Sequence, residues 1–280
     1  MSNLTNAHDN VRTPLKVGIA GLGAIGSSIA QALTAGIDGM TLHAVGVRNA
    51  AKAADRLRDL NIVTNIRTGP ELANSSDVVV ECAPAAAFRE IVEPAVEAGR
   101  TVLAVSVGAL LSHPDLVERA RETGARIHVP SGAILGLDVL RAAAVGTIES
   151  VTMVTRKPPS GLQGVDFLER QGIDVMTLSE PTRVFEGNAA DGARHFPANV
   201  NVAAAVGLAG IGPQQTTLEV WVDPTIDRNM HTVEVEADAV RFKVSIENVP
   251  SLENPRTGRV VAPSVIASLR RLVDPLVVGT

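Results

Sequence analysis

Short apolar runs, punctuated by glycine and proline, dominate the first half of the chain. Leu15 to Ala20 is apolar and stops at a glycine cluster, which predicts a strand and a tight turn. A helix is expected from about Ile25 to Ala35, closed by Gly36. Met40 to Val47 reads as a second strand and Ala50 to Leu60 as a helix. Asp77 to Cys82 (DVVVEC), bounded by Pro84, reads as a third strand. Helices over Ala86 to Ala98 and His113 to Thr123, stopped by Gly99 and Gly124, flank strands at Thr101 to Val105 and Arg126 to Val129. This alternation of strand and helix predicts an α/β fold with a Rossmann-type, doubly wound parallel sheet.

Beyond Pro130 the pattern changes. Val151 to Lys157, Leu218 to Val222, His231 to Glu236 and Val240 to Glu247 alternate with a period of two, which predicts strands with one buried face. The second half is therefore expected to be an α+β domain with a mostly antiparallel sheet. Pro197 to Leu208 predicts a proline-opened helix. Ala262 to Leu272 predicts an amphipathic helix that packs back on the first half. The expected division is a disordered leader over 1–13, a Rossmann domain over 14–130 with 255–280, and a second domain over 131–254.

A length of 280 residues fits two domains. Hydrophobic residues make up 45% of the chain but aromatics only 2%, so valine, alanine, isoleucine and leucine must fill the interior. The net charge of -5 argues against a nucleic-acid surface, which needs clustered lysine and arginine. A single cysteine, Cys82, excludes an internal disulfide and a cysteine-based metal cluster. No long uninterrupted apolar run suggests a membrane span. The polar opening residues lack a signal core, so the chain reads as cytoplasmic.

The most informative local pattern is Gly21-Leu22-Gly23-Ala24-Ile25-Gly26, a G-x-G-x-x-G run between a predicted strand and a predicted helix. In that context Gly21 makes the turn, Gly23 lets a pyrophosphate approach, and Gly26 lets helix and strand pack closely. The N–H groups at the helix start then face the phosphates. This implies NAD or NADP. At the end of the second strand, where NAD enzymes usually carry a carboxylate for the ribose, the sequence is Val47-Arg48-Asn49. Arg48 is a candidate for a 2′-phosphate, with a solvated loop arginine as the alternative.

In the strand at 229–236, Asn229, His231, Val233 and Val235 share one parity, while Thr232, Glu234 and Glu236 form the wet face. His231 therefore points inward. That suits either a core histidine bonded to a carbonyl or a catalytic imidazole facing the dinucleotide domain.

After its leader the chain resembles the L-aspartate dehydrogenase family throughout. The stretches that carry the resemblance are GLGAIG (Gly21 to Gly26), VVECAP (Val79 to Pro84), PSGAILGLDVL (Pro130 to Leu140) and RKPP (Arg156 to Pro159). They continue with FPANVNVA (Phe196 to Ala203), VDP (Val222 to Pro224), NMH (Asn229 to His231) and ENPRT (Glu253 to Thr257). The resemblance implies NAD(P)-dependent oxidation of the aspartate α-amino group, through iminosuccinate, to oxaloacetate and ammonia. It also implies that His231 is catalytic and that Asn229 stands beside it at the substrate. An imidazole fits that role, because hydride leaves Cα only from a neutral amine and a base must take the proton.

Other positions read in two ways. Cys82, Ala83 and Pro84 end a strand where the nicotinamide ribose usually lies, although Cys82 also suits a small buried hydrophobe. Ser106 is a candidate donor to nicotinamide or substrate. Asn199 and Asn201, near the start of a helix, are candidates for a substrate carboxylate or for ordinary capping. No metal-ligand spacing is present. Two residues depart from the family: Ala198, where relatives often carry a cation, and Leu135, where they often carry glycine. Competing readings are a related imine reductase, as in the dihydrodipicolinate reductase family, and a non-catalytic NAD(P) sensor. A half-exposed sheet in the second domain suggests a homodimer, since its apolar face must be covered.

Overall fold

The structure, a computed structural model, describes residues 13–196, 201–251, 253 and 257–279. Apart from Thr13, the expected leader lies outside them, as do Ala198 and Asn199.

Six strands build the first sheet: β1 (Leu15–Ala20), β2 (Met40–Gly46), β3 (Asn65–Arg67), β4 (Val78–Glu81), β5 (Thr101–Ala104) and β6 (Arg126–His128). Between and after them run α1 (Ala24–Ala35), α2 (Ala50–Asp59), α3 (Gly69–Ser75), α4 (Phe88–Glu97), α5 (Val107–Leu110) and α6 (Pro114–Thr123). The strand order is β3-β2-β1-β4-β5-β6 and every pairing is parallel, as in a Rossmann sheet. The continuous apolar runs in β1 and β4 follow from this arrangement, because helices cover both faces and leave no wet side. Strand order reverses between β1 and β4, which opens a crevice beyond their C-terminal ends.

The rest of the chain supplies α7 (Leu137–Ala143), β7 (Ile148–Lys157), α8 (Pro159–Leu162), α9 (Asp166–Arg170), β8 (Thr182–Asn188) and α10 (Ala189–His195). It continues with α11 (Asn201–Ala209), β9 (Thr217–Val222), β10 (Asn229–Ala237), β11 (Arg241–Asn248) and α12 (Val261–Arg270). The second sheet is ordered β11-β10-β7-β9-β8 and is antiparallel except for the β7–β9 pair. Its apolar face buries Met153, Val220 and Val233 against Leu162, Phe196 and Val206 of the helical layer. Helices of the same chain thus cover that face, so the argument from an uncovered apolar face does not hold. The opposite face is mixed, with half-buried Val154, Trp221 and Met230 among charged residues. There the Arg156 guanidinium lies 4.7 Å over the Trp221 ring.

Helix α12 returns to the first sheet. Val265 and Leu269 are buried in one cluster with Val17, Ile29 and Leu33. Among the described residues no helix is long and apolar enough to cross a membrane.

Candidate active site

Two adjoining recesses occupy the crevice. The outer one is a groove of about 700 Å³ running along the glycine turn, the start of α2 and the ends of β4 and β5. The inner one is a cavity of about 110 Å³ that reaches the buried ends of β7 and β10. Ile25, Val105, Asn201 and Thr257 line both, so the two recesses share a wall.

The glycine turn is built for close approach. Gly21 has φ of 97°, a conformation that favours glycine, and a Cβ there would lie 2.7 Å from the Cys82 carbonyl oxygen. A Cβ on Gly26 would collide with the Gly21 carbonyl oxygen, so α1 can lie on the turn only with glycine at that position. Gly23 faces open space and caps α1 without a side-chain hydrogen bond, leaving the first-turn N–H groups to a ligand. Leu22, Ala24 and Ile25 line the groove beside it. A pyrophosphate fits this cradle.

Cys82, Ala83 and Pro84 line the groove where β4 ends. The Cys82 thiol donates to the carbonyls of Ala20 and Gly21, each at 3.3 Å, and burial pushes its pKa up. It is an inert spacer under the turn rather than a nucleophile. Ser106 also lines the groove, but its geometry depends on a residue that the sequence did not single out. The fully buried Glu81 carboxylate accepts from the Ser106 N–H (2.9 Å), the Ser106 hydroxyl (3.0 Å) and the Ala83 N–H (3.1 Å). Glu81 thereby ties the turns after β4 and β5 together. Burial raises its pKa, against the pull of the Ser106 and Ala83 donors.

Arg48 lies between two groove-lining residues, Val47 and Asn49. Arg48 itself precedes the α2 cap, is exposed, and does not line the groove. The groove-facing cations are Lys52 and Arg56, one turn apart on α2. Asn49 also lines the groove, and its side chain accepts from the Lys52 N–H at 3.0 Å to cap the helix.

In the inner cavity, strand register does the positioning. Antiparallel pairing sets His231 opposite Thr155, and Nδ1 lies 3.2 Å from the Thr155 hydroxyl oxygen. That contact orients the ring and leaves Nε2 as the nitrogen for the cavity. Two residues along β7, on the same inward face, Lys157 is buried and lines the cavity. Burial, and secondarily the Lys157 ammonium, lower the His231 pKa to about 3, so the imidazole is neutral at any physiological pH. Asn229 pairs with Asn248 across β10–β11, and both line the cavity. The Asn248 amide donates to the Ala133 carbonyl at 3.0 Å. The Asn229 side-chain oxygen is buried and has no donor among the described residues, which in a functional cavity points to a ligand group. Asn201 accepts from the Gly108 N–H at 2.9 Å, bracing α11 against α5 across the shared wall.

His231, Asn229, Asn201 and Ser106 thus converge on the crevice. Leu135 is 43% exposed and lines neither recess, so its bulk does not narrow the cavity. The sequence does not single out Lys157, Thr155 or Glu81. For the first two a signal existed, because they share inward parity with Val151 and Met153. Among the described residues no group of three or more His, Cys, Asp or Glu could hold a metal ion.

Comparison with known proteins agrees with both halves. Residues 21–130 match the family model for the homoserine dehydrogenase NAD-binding domain, and residues 138–272 match that for the aspartate dehydrogenase C-terminal domain. An L-aspartate dehydrogenase of Bradyrhizobium diazoefficiens is 53% identical over 95% of this chain and 94% of its own. The chain belongs to the L-aspartate dehydrogenase family. Another member, L-aspartate dehydrogenase 3 of Bordetella bronchiseptica, is 48% identical over 96% of this chain and 99% of its own. Among solved structures, aspartate dehydrogenase from Thermotoga maritima superposes with a TM-score of 0.72 at 25% identity, covering 95% of this chain and 99% of that one. Gly21 to Ile25, which line the groove, lie within the match to the NAD-binding model, and Lys157, Asn229, His231 and Asn248, which line the inner cavity, lie within the match to the C-terminal model.

Proposed function

We propose that this chain uses NAD or NADP to oxidise the α-amino group of L-aspartate, giving iminosuccinate and then oxaloacetate and ammonia, and that it also runs the reverse amination. One observation carries the reading. A cavity that shares a wall with the dinucleotide groove holds a neutral imidazole, an amide oxygen without a donor, and a buried lysine.

Each group has a task that follows from its chemistry. Lys157, which lines the cavity, supplies positive charge for a substrate carboxylate. The Asn229 oxygen accepts from the substrate's ammonium. His231 Nε2 takes a proton from that nitrogen, so its lone pair can form the C=N bond as the Cα–H bond breaks. The bound dinucleotide supplies the acceptor for the departing hydride. The substrate's carboxylates also favour a protonated imidazole, offsetting the burial that keeps the free ring neutral. In the second stage His231 can return its proton or activate the water that adds to the imine. Glu81 and Ser106 fix the part of the groove wall that would hold the nicotinamide end of the dinucleotide.

Domain roles follow the same reading. Residues 14–130 with 255–280 would bind the dinucleotide, and 131–254 would hold the substrate and pair subunits. Val154, Trp221 and Met230, half-buried on the open face of the second sheet, support pairing through that face as a homodimer. Sedimentation should give twice the 29.1 kDa chain mass, whereas a monomer at micromolar concentration would exclude this arrangement.

The activity itself is tested by initial rates across a panel of amino acids with each dinucleotide, followed by reduced-nicotinamide absorbance. L-Aspartate should show the highest kcat/KM, by at least ~10-fold, the scale of one lost charged contact. A better substrate lacking the β-carboxylate would overturn the assignment.

A further inference from the structure

The adenosine end of the groove contains a contact that the proposed reaction does not use. In dinucleotide folds the residue at the end of β2 meets the adenosine ribose, and a carboxylate there accepts from the 2′-hydroxyl. Here that end offers Val47, and the Asn49 side chain is occupied in capping α2. The next polar groups along the groove are Lys52 and Arg56.

The Arg56 guanidinium is held on two sides. Its Nε donates to the Ser27 hydroxyl of α1 at 3.1 Å, and Nη2 donates to both carboxylate oxygens of Glu253, at 3.2 and 3.0 Å. Glu253 comes from the segment between β11 and α12, 197 residues away in sequence. Among the described residues lining the groove it is the only carboxylate.

We infer that Glu253, clamped by Arg56, is the residue that selects between NAD and NADP, replacing the carboxylate missing from the end of β2. This rests on the reading of the groove as the dinucleotide site. A carboxylate at this position accepts from a 2′-hydroxyl, as NAD requires. It repels a 2′-phosphate and also occupies the arginine fork that would otherwise bind that phosphate. The acceptor thus reaches the first domain from a distant segment, and Arg56 changes partner according to the ribose substituent. The ENPRT stretch, which the sequence presents without a task, gains one at its first residue.

The Arg56 and Glu253 side chains are 35% and 57% exposed, so their ion pair adds little to stability and its loss should not unfold the chain. That separates selection from folding. The test is calorimetric titration of NAD and of NADP into the parent, Glu253→Gln, and the double variant Glu253→Gln with Arg56→Gln. Glu253→Gln should raise NADP affinity relative to NAD by roughly 10-fold or more, and the double variant should lose that gain. A ratio within about twofold of the parent in Glu253→Gln, or a gain that survives the loss of Arg56, would overturn the inference. Binding of neither dinucleotide by the parent would overturn it together with the reading of the groove.

Discussion

Replacing His231 with alanine should lower kcat for aspartate oxidation by ~100-fold or more, the scale of a lost general acid–base, while leaving dinucleotide affinity nearly unchanged. The selectivity follows from position. His231 lies on β10, bonded to Thr155 of β7, and lines the inner cavity but not the groove. Loss of the ring opens a small void in the second sheet and leaves the Thr155 hydroxyl without this partner. Some loss of melting temperature is therefore expected as well. Dinucleotide titration separates the effects, because a folded variant with intact cofactor binding has lost chemistry rather than structure. Parent-like turnover would show that another group handles the proton.

Replacing Lys157 with methionine should instead act on substrate binding. The Michaelis constant for aspartate should rise roughly 10- to 150-fold, the range of one charge-assisted contact of ~1.5–3 kcal/mol. Turnover at saturation should fall much less. Removing the ammonium also removes one of the two causes that hold the His231 pKa low, so the imidazole becomes a somewhat stronger base. Methionine has nearly the length of the lysine side chain but carries no charge. A parallel fall in kcat and rise in KM, with a lowered melting temperature, would mark Lys157 as structural. An unchanged KM would remove it from the substrate site.

How far these residues could be read from the sequence depended on whether the signal was local. The run Leu15–Ala20 and the glycines after it form one local pattern, with strand, turn and helix start contiguous, and the structure places them there. The inward direction of His231 followed from alternation within one strand. Parity also points Lys157 inward, but a lysine ending an alternating run reads naturally as the first solvated residue. The strand over Thr182–Asn188 was not distinguished, because Arg183, Glu186 and Gly187 interrupt its alternation at the sheet edge. Strand β3 has three residues and only one neighbour, too short for any period. Glu81 could not be recognised locally, since its buried carboxylate is satisfied by Ser106, 25 residues away. Arg56 is not legible locally for the same reason. The strand-end rule points to the loop, whereas the guanidinium that reaches the groove is the one seated on Ser27 of a different helix.

The central claim is that the inner cavity presents aspartate Cα to a dinucleotide lying in the groove. Transfer of isotope tests it most directly. With L-aspartate deuterated at Cα, the reduced nicotinamide should carry one deuterium at its reacting carbon for each oxaloacetate formed, read by proton NMR of the recovered cofactor. Reduced nicotinamide without deuterium, or oxaloacetate formed without cofactor reduction, would contradict the account.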